Sequence, residues 1–341
     1  MPEASVSAGF AANLIEFAVA KGAERAALVK GAGIDEAKLK DRDNRIALSN
    51  YVALMRAAKE LTGDSALALH FGEAVDIAEV SIVGLIGQAS ETILEAFAQV
   101  NRYVRLVVDV DVGTAERFLL RRERGGLWLA DTRPSPNDFP ELTESAFAQI
   151  VCGSREFGET NLAMALHVTH AAPRHRSEYE RIFRAPVTFE SDWNALLIDE
   201  AWLTHKVARL PRYVFGVLSE HAQALLESLE AAKTIKGRVE SQLLPALHTG
   251  EARMEAIAAK LGLSQQTLAR KLKAEGTTFE TVLDELRHTM ALHYLRGRKV
   301  SVHEAAYLVG FSDASAFSRA FKRWTGTSPG APRAAEREDR T

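Results

Sequence analysis

Ile257-Ala258-Ala259-Lys260-Leu261-Gly262-Leu263-Ser264 and, 48 residues later, Ala305-Ala306-Tyr307-Leu308-Val309-Gly310-Phe311-Ser312 decide how this chain is read. In each stretch an Ala is followed four positions on by Gly, then by an apolar residue and a Ser. Ala258 and Ala306 leave room for a second helix to approach closely. Gly262 and Gly310 can take the left-handed conformation that ends a first helix. Leu263 and Phe311 anchor the turn, and Ser264 or Ser312 is placed to cap the helix that follows. Each stretch thus reads as a helix-turn-helix.

The helices that follow obey the same logic. Gln265–Glu275 turns Leu268 and Leu272 inward, with Arg270, Lys271 and Lys273 outward. Asp313–Trp324 turns Phe317, Phe321 and Trp324 inward, with Arg319, Lys322 and Arg323 outward. A basic outer face suits a helix in a major groove, where phosphates attract Lys and Arg and base edges bond to Arg, Gln and Ser. Between the units, Phe279–Leu295 reads as one helix about 25 Å long. Thr277-Thr278-Phe279-Glu280 fits a capping box at its start, and Ser301-Val302-His303-Glu304 fits another at the start of the second unit. A spacer of that length can set two recognition helices roughly one DNA turn, about 34 Å, apart.

Charge divides in the same place. Residues 238–333 carry fourteen Lys/Arg against nine Asp/Glu, whereas residues 1–237 carry 26 against 33. A basic segment beside an acidic one suggests a polyanion-binding module joined to a part that does not bind polyanions. The one cysteine, Cys152, excludes an internal disulfide framework and Cys-rich metal sites. It reads as a small buried hydrophobe and fits a reducing cytoplasm. No signal peptide pattern opens the chain and no apolar run reaches about 18 residues, so a cytoplasmic protein without membrane association is expected. No G-x-S-x-G, G-x-G-x-x-G, Walker loop or H-E-x-x-H occurs, which argues against an enzyme. No cofactor or metal is expected; His167 and His170, three apart on a presumed strand, point to opposite faces.

Upstream, Phe10–Ala20, Glu24–Lys30, Tyr51–Leu61 and Ile93–Leu106 have helical spacing. Val107–Val112 alternates as a half-buried strand does, and Glu116–Arg122 and Leu127–Ala130 flank the hairpin signal Gly125-Gly126. Leu142–Phe157 returns to helix. Leu162–His170, Val187–Phe189 and Ala195–Ile198 read as strands, and Ser177–Phe183 as a short helix. The pattern predicts an α+β domain, helices plus a mainly antiparallel sheet, over 1–208. A helix and linker over 209–237 follow, then an all-α domain over 238–333 with two helix-turn-helix units on a linker helix, and a disordered tail over 334–341. Tyr213–Ala232 carries Val214, Leu218, Leu225 and Leu229 on one face, as either a dimerisation helix or one docked on its own domain would. Thr234–Gly237 is the expected boundary. Trp128, His170, Tyr179 and Trp193 are the candidate ligand-binding residues, lining an apolar cavity with polar handles; the other reading makes them core and surface residues with no ligand.

Residues 238–333 resemble the DNA-binding domain of the AraC/XylS family of bacterial transcription regulators, most closely from Val309-Gly310-Phe311-Ser312-Asp313 through Thr325-Gly326-Thr327-Ser328-Pro329. The resemblance places base contacts at Gln266, Ala269 and Arg270, and at Ala314, Ser315, Ser318 and Arg319, with Arg287 as the linker-helix arginine. With Gln265, Thr267, Lys271, Lys273, Lys322 and Arg323 these form the candidate DNA-contacting set. Ala269 offers no hydrogen bond, Ala316 is small where the family often has an aromatic, and Pro332 precedes Arg333 where a Tyr is common. Residues of about 14–206 resemble the arabinose-binding-type N-terminal domain of one AraC subgroup, through Leu61-Thr62-Gly63-Asp64, Ser90-Glu91-Thr92, Arg102-Tyr103 and Phe183-Arg184-Ala185-Pro186-Val187. The resemblance implies promoter DNA and RNA polymerase as partners, a small-molecule effector and a possible homodimer. A second reading makes the N-terminal domain a protein-interaction platform without a ligand.

Overall fold

The computed structural model describes residues 4–112, 116–249, 251–296 and 300–330. Its chain contacts divide into two units, Met1–Leu226 and Glu227–Thr341.

The N-terminal unit opens with β1 (Ser5–Ser7) and α1 (Ala8–Ala20), followed by α2 (Arg25–Ala32), β2 (Arg45–Ala47), α3 (Leu48–Thr62), α4 (Leu67–Ala74), α5 (Ile77–Val80), α6 (Ile82–Ala89) and α7 (Ile93–Val107). Side-chain oxygens start several of these helices. Ser7 accepts from the Phe10 amide, Asp76 from that of Ala78 and Thr92 from that of Glu95. The short β3 (Val108–Asp109) completes an antiparallel sheet of order β2-β1-β3. Around it Phe10, Leu14, Ile15, Leu28, Tyr51 and Phe71 form one core, with Phe10 stacked on Tyr51 at 5.2 Å.

A second sheet follows, built from β4 (Phe118–Glu123), β5 (Gly126–Asp131), β6 (Ala163–His167), β7 (Val187–Thr188) and β8 (Asn194–Ile198), in the order β4-β5-β8-β6-β7. Only the β6–β7 pair is parallel, so the sheet is mainly antiparallel as expected. The helices α8 (Glu141–Ser154) and α9 (Arg176–Phe183) cover one face. Phe147, Val151, Ile182, Phe183, Leu196 and Trp202 are buried there. The next helix, α10 (Arg212–Lys233), contains the division between the units.

The C-terminal unit is helical throughout the described residues: α11 (Ile235–Leu243), α12 (Met254–Lys260), α13 (Gln265–Ala274), α14 (Phe279–Arg296), α15 (Val302–Leu308) and α16 (Ala314–Thr325), with a helical turn over Leu244–Thr249. It has two small cores. Val239, Leu243, Ile257, Leu268, Leu272 and Val282 form the first; Ala291, Leu295, Val309, Phe317 and Phe321 form the second. The linker helix α14 supplies Val282 to one and Ala291 and Leu295 to the other, so it is the shared wall of both units.

Several expectations shift. The strand over Val107–Val112 shrinks to β3, because α7 runs through Val107 and only Val108 and Asp109 find partners, on Val6 and Ser5. At the head of α14 no Thr277–Glu280 box forms; Thr278 caps alone, accepting from the Thr281 amide at 3.2 Å. Asp313, not Ser312, caps α16, its two oxygens accepting from Ser315 and Ala316 at 3.0 and 2.9 Å. The inward face of α10 is Phe215, Leu218, Ala222 and Leu226, a rotation from the expected stripe that leaves Leu218 in common. Thr234–Gly237 is the cap and first turn of α11, with Ile235 buried in the first C-terminal core. Cys152 is half-buried, and burial pushes its thiol above the ordinary cysteine range. Pro332, Arg333 and the 334–341 tail lie outside the described residues.

Candidate nucleic-acid interface and N-terminal cavity

Both helix-turn-helix units close by the same backbone device. Gly262 and Gly310 have φ of +67° and +82°, ending α12 and α15 in the left-handed region. Ala258 and Ala306 are buried, where the second helix of each pair crosses. Ser264 caps α13 by accepting from the Thr267 amide, and Ser301 with Glu304 forms a complete capping box on α15. Glu275, just past the end of α13, accepts from the Ile235 and Lys236 amides at 2.7 and 2.9 Å. That carboxylate satisfies the open N-terminus of α11 and ties it to the first recognition helix. The cap of α11 is thus shared: Thr234 accepts locally from the Gly237 amide at 2.9 Å, while the other open amides are met by a carboxylate forty residues away that no local pattern announces.

On α13, Gln265, Gln266, Ala269, Arg270, Lys271 and Lys273 are exposed and Thr267 is half-buried. On α16, Ser315, Arg319, Lys322 and Arg323 are exposed, with Ala314 and Ser318 half-buried. The fold therefore brings the expected residues to the outer face of each recognition helix. Four of the set are held by the protein itself, Thr267 by accepting from the Ser264 hydroxyl at 2.9 Å. Ser318 donates its hydroxyl to the Ala314 carbonyl at 2.8 Å. Arg323 pairs with Asp284 of α14 at 2.7 Å. Arg287 donates from Nε to the Val309 carbonyl at 3.1 Å and from Nη2 to that of Gly310 at 3.3 Å. Its guanidinium also lies over the Phe311 ring at 4.9 Å, and burial lowers its pKa.

The N-terminal unit holds a cavity of about 560 Å³ between α4, α6, α7, α8 and the β4–β5 hairpin. Its walls are mainly apolar, including Ile93, Phe97, Val104, Phe118, Leu120 and Leu129. None of Trp128, His170, Tyr179 and Trp193 lies on this wall. Trp128 and Trp193 pack with His167 on the other face of the second sheet, at ring separations of 4.7 Å (Trp128–His167) and 5.1 Å (Trp128–Trp193). Tyr179 is fully buried and donates to Glu144 at 2.5 Å, with His170 Nε2 3.0 Å from its hydroxyl. Burial pushes the Glu144 carboxyl above the ordinary glutamate range. The four thus form two separate structural clusters. The cavity walls carry no sequence signature, since they are mainly core-type residues drawn from many separate elements.

Residues 22–207, more than half of the chain, match the family described as the arabinose-binding domain of AraC transcription regulator, N-terminal, and residues 257–335 match a helix-turn-helix domain family. The ornithine utilization regulator of Pseudomonas aeruginosa is 26% identical over 327 residues, 95% of each chain. The transcriptional activator RhaS of Escherichia coli is 41% identical over 80 residues, covering 23% of this chain and 29% of RhaS. The crystal structure of the transcriptional regulator CdpR from Pseudomonas aeruginosa covers 84% of this chain and 96% of its own, at 23% identity and a TM-score of 0.38. Among the described residues no helix is long and apolar enough to cross a membrane. With both of its halves matched in this way, the chain belongs to the AraC family: it is a DNA-binding transcription regulator, not an enzyme, with an arabinose-binding-type N-terminal domain and a helix-turn-helix C-terminal domain.

Proposed function

We infer that this regulator reads two successive major grooves of promoter DNA through α13 and α16 and is controlled by a small molecule held in the N-terminal cavity. The observation that carries the second half is the cavity itself, about 560 Å³ with mainly apolar walls. Ligand sites are typically concave, roughly 300–1,000 Å³, and apolar with a few polar groups. A domain serving only as a protein-interaction platform needs no such space. The exposed face of α10, with Tyr213 75% and Val217 64% accessible, is where a homodimer would add to this reading.

Filling the cavity tests it. Gly87 and Ala146 lie on its wall, and a Cβ added at Gly87 meets nothing within 4 Å. Gly87→Phe and Ala146→Phe are expected to keep operator affinity in gel shifts while abolishing ligand-dependent change at a reporter promoter. A metabolite screen by thermal shift supplies the ligand, since saturation at 100 times Kd stabilises by about 2.7 kcal/mol. Normal regulation by both filled variants, with no metabolite shifting the wild type, would defeat the sensor reading.

A further inference from the structure

Arg117 stands on the wall of the cavity at the start of β4, and it also borders a second cavity of about 420 Å³ beside α7. It is 4% exposed. A guanidinium carries five N–H donors and is rarely taken out of water without matching acceptors. Here Nη2 donates to the Leu142 carbonyl at 3.1 Å and lies 3.6 Å from Asp131 Oδ2, while Nε is buried with no partner. Asp131 does not balance the charge by itself, because Arg133 shares the same oxygen at 3.2 Å. Arg133 is otherwise satisfied by the Phe139 carbonyl and the Thr143 hydroxyl, and Thr143 in turn donates to Asp131 at 2.8 Å. Two buried guanidiniums therefore share one buried carboxylate. Tyr51 also has a buried hydroxyl without a partner.

The acidic side chains on the cavity wall do not supply the missing charge. Glu73 is held by both Arg181 terminal nitrogens at 2.7 and 2.6 Å, and Glu156 by Arg209 at 2.9 Å. Asp76 caps α5, and Glu116 is likewise engaged. An uncompensated cation at the edge of an apolar hollow is costly unless an anion completes it. Phe118, over whose ring the Arg117 guanidinium lies at 4.6 Å, and the neighbouring Leu120, Leu129, Ile93 and Phe97 then receive an apolar body.

We propose that the cavity selects an amphipathic organic anion, a carboxylate or comparable acid on an apolar body, with Arg117 as the residue that receives its charged head. The inference rests on the effector reading above and names the chemical class of the effector. Titration calorimetry on the full chain tests it with matched pairs: decanoate against 1-decanol, 4-phenylbutyrate against 4-phenylbutanol, and 2-naphthoate against 2-naphthalenemethanol. At least one acid is expected to bind ten or more times tighter than its alcohol, and Arg117→Met to remove that preference while leaving alcohol binding in place. The comparison on the unaltered chain decides even where Arg117→Met fails to fold, and Arg117→Lys, which keeps the charge without the planar fork, should retain part of the preference. An alcohol that binds as tightly as its acid in every pair overturns the anion and leaves the effector cavity standing. An acid preference that survives in a folded Arg117→Met overturns the role of Arg117. No binding by any probe overturns the proposal, and normal regulation by Gly87→Phe then removes the effector reading with it.

Discussion

Arg287 and Arg319 are both arginines of the DNA-binding domain, and their surroundings give them different work. Arg319 is exposed on α16, and no ion pair holds it among the described residues. Arg287 spends Nε and Nη2 on the carbonyls that end α15, which fixes α14 against the turn of the second unit. Arg319→Ala is therefore expected to lose about 1–3 kcal/mol at the cognate operator and relax preference at one base pair, with little effect on non-specific binding. Arg287→Ala should lower the denaturation midpoint and weaken all duplexes alike. Gel shifts against single-base operator variants at fixed salt separate the two; identical base-pair profiles would sink the distinction. In the N-terminal unit, Glu144 is the residue whose protonation matters. Burial raises its carboxyl. A raised folded-state pKa contributes stability that is present below the unfolded value, about 4.3, and is lost as pH rises through the folded one. Glu144→Gln mimics the protonated acid and keeps an acceptor for Tyr179. Its melting temperature should gain on wild type as pH rises from about 4 to 7. A difference independent of pH would show that Glu144 does not carry this titration.

Among the elements, the two turns that look alike in sequence differ in what surrounds them. Gly262 has φ +67° with nothing within 4 Å of an added Cβ; at Gly310, φ +82°, that Cβ would stand 2.2 Å from the Leu247 carbonyl oxygen. Gly262→Ala should cost the left-handed penalty alone, about 1–2 kcal/mol. Gly310→Ala should cost distinctly more, because the Leu244–Thr249 turn must move as well. Urea denaturation of both variants reads the difference, and equal midpoints would mean that the turn yields freely. This pair also shows what a sequence makes legible. The Ala-to-Gly spacing, the capping Ser264 and the Ser301–Glu304 box are local chemistry, and they were readable with their boundaries nearly right. The outward faces of α13 and α16 followed from helical period. The helices α4, α5 and α6 were missed because each is short and apolar on more than one side, leaving no clean period. The cavity was missed because it belongs to no element. It is the space left between several of them, and the aromatic residues that looked like its lining pack instead against one another.

At the scale of the whole molecule, the shared linker helix makes a geometric claim about DNA. Because α14 gives Val282 to one core and Ala291 and Leu295 to the other, the two helix-turn-helix units of one chain are parts of a single packed unit. A protein of this build should protect two segments on one face of the duplex, roughly 10 base pairs apart, from a single protomer. Hydroxyl-radical footprinting at protein concentrations where gel shifts show one bound chain reads this directly. Arg270→Ala should thin protection at one segment and Arg319→Ala at the other, which also assigns the polarity of the chain on its operator. The electrostatic share is separable by salt. Lys271, Lys273 and Lys322 are exposed on the same faces, and each phosphate contact removed should reduce the slope of log affinity against log salt by about 0.9. Replacing all three by Gln should weaken specific and non-specific duplexes in parallel, leaving the ratio between them nearly unchanged. A triple variant that keeps the wild-type salt slope, or a footprint confined to one segment, would mean that only one of the two units engages the groove.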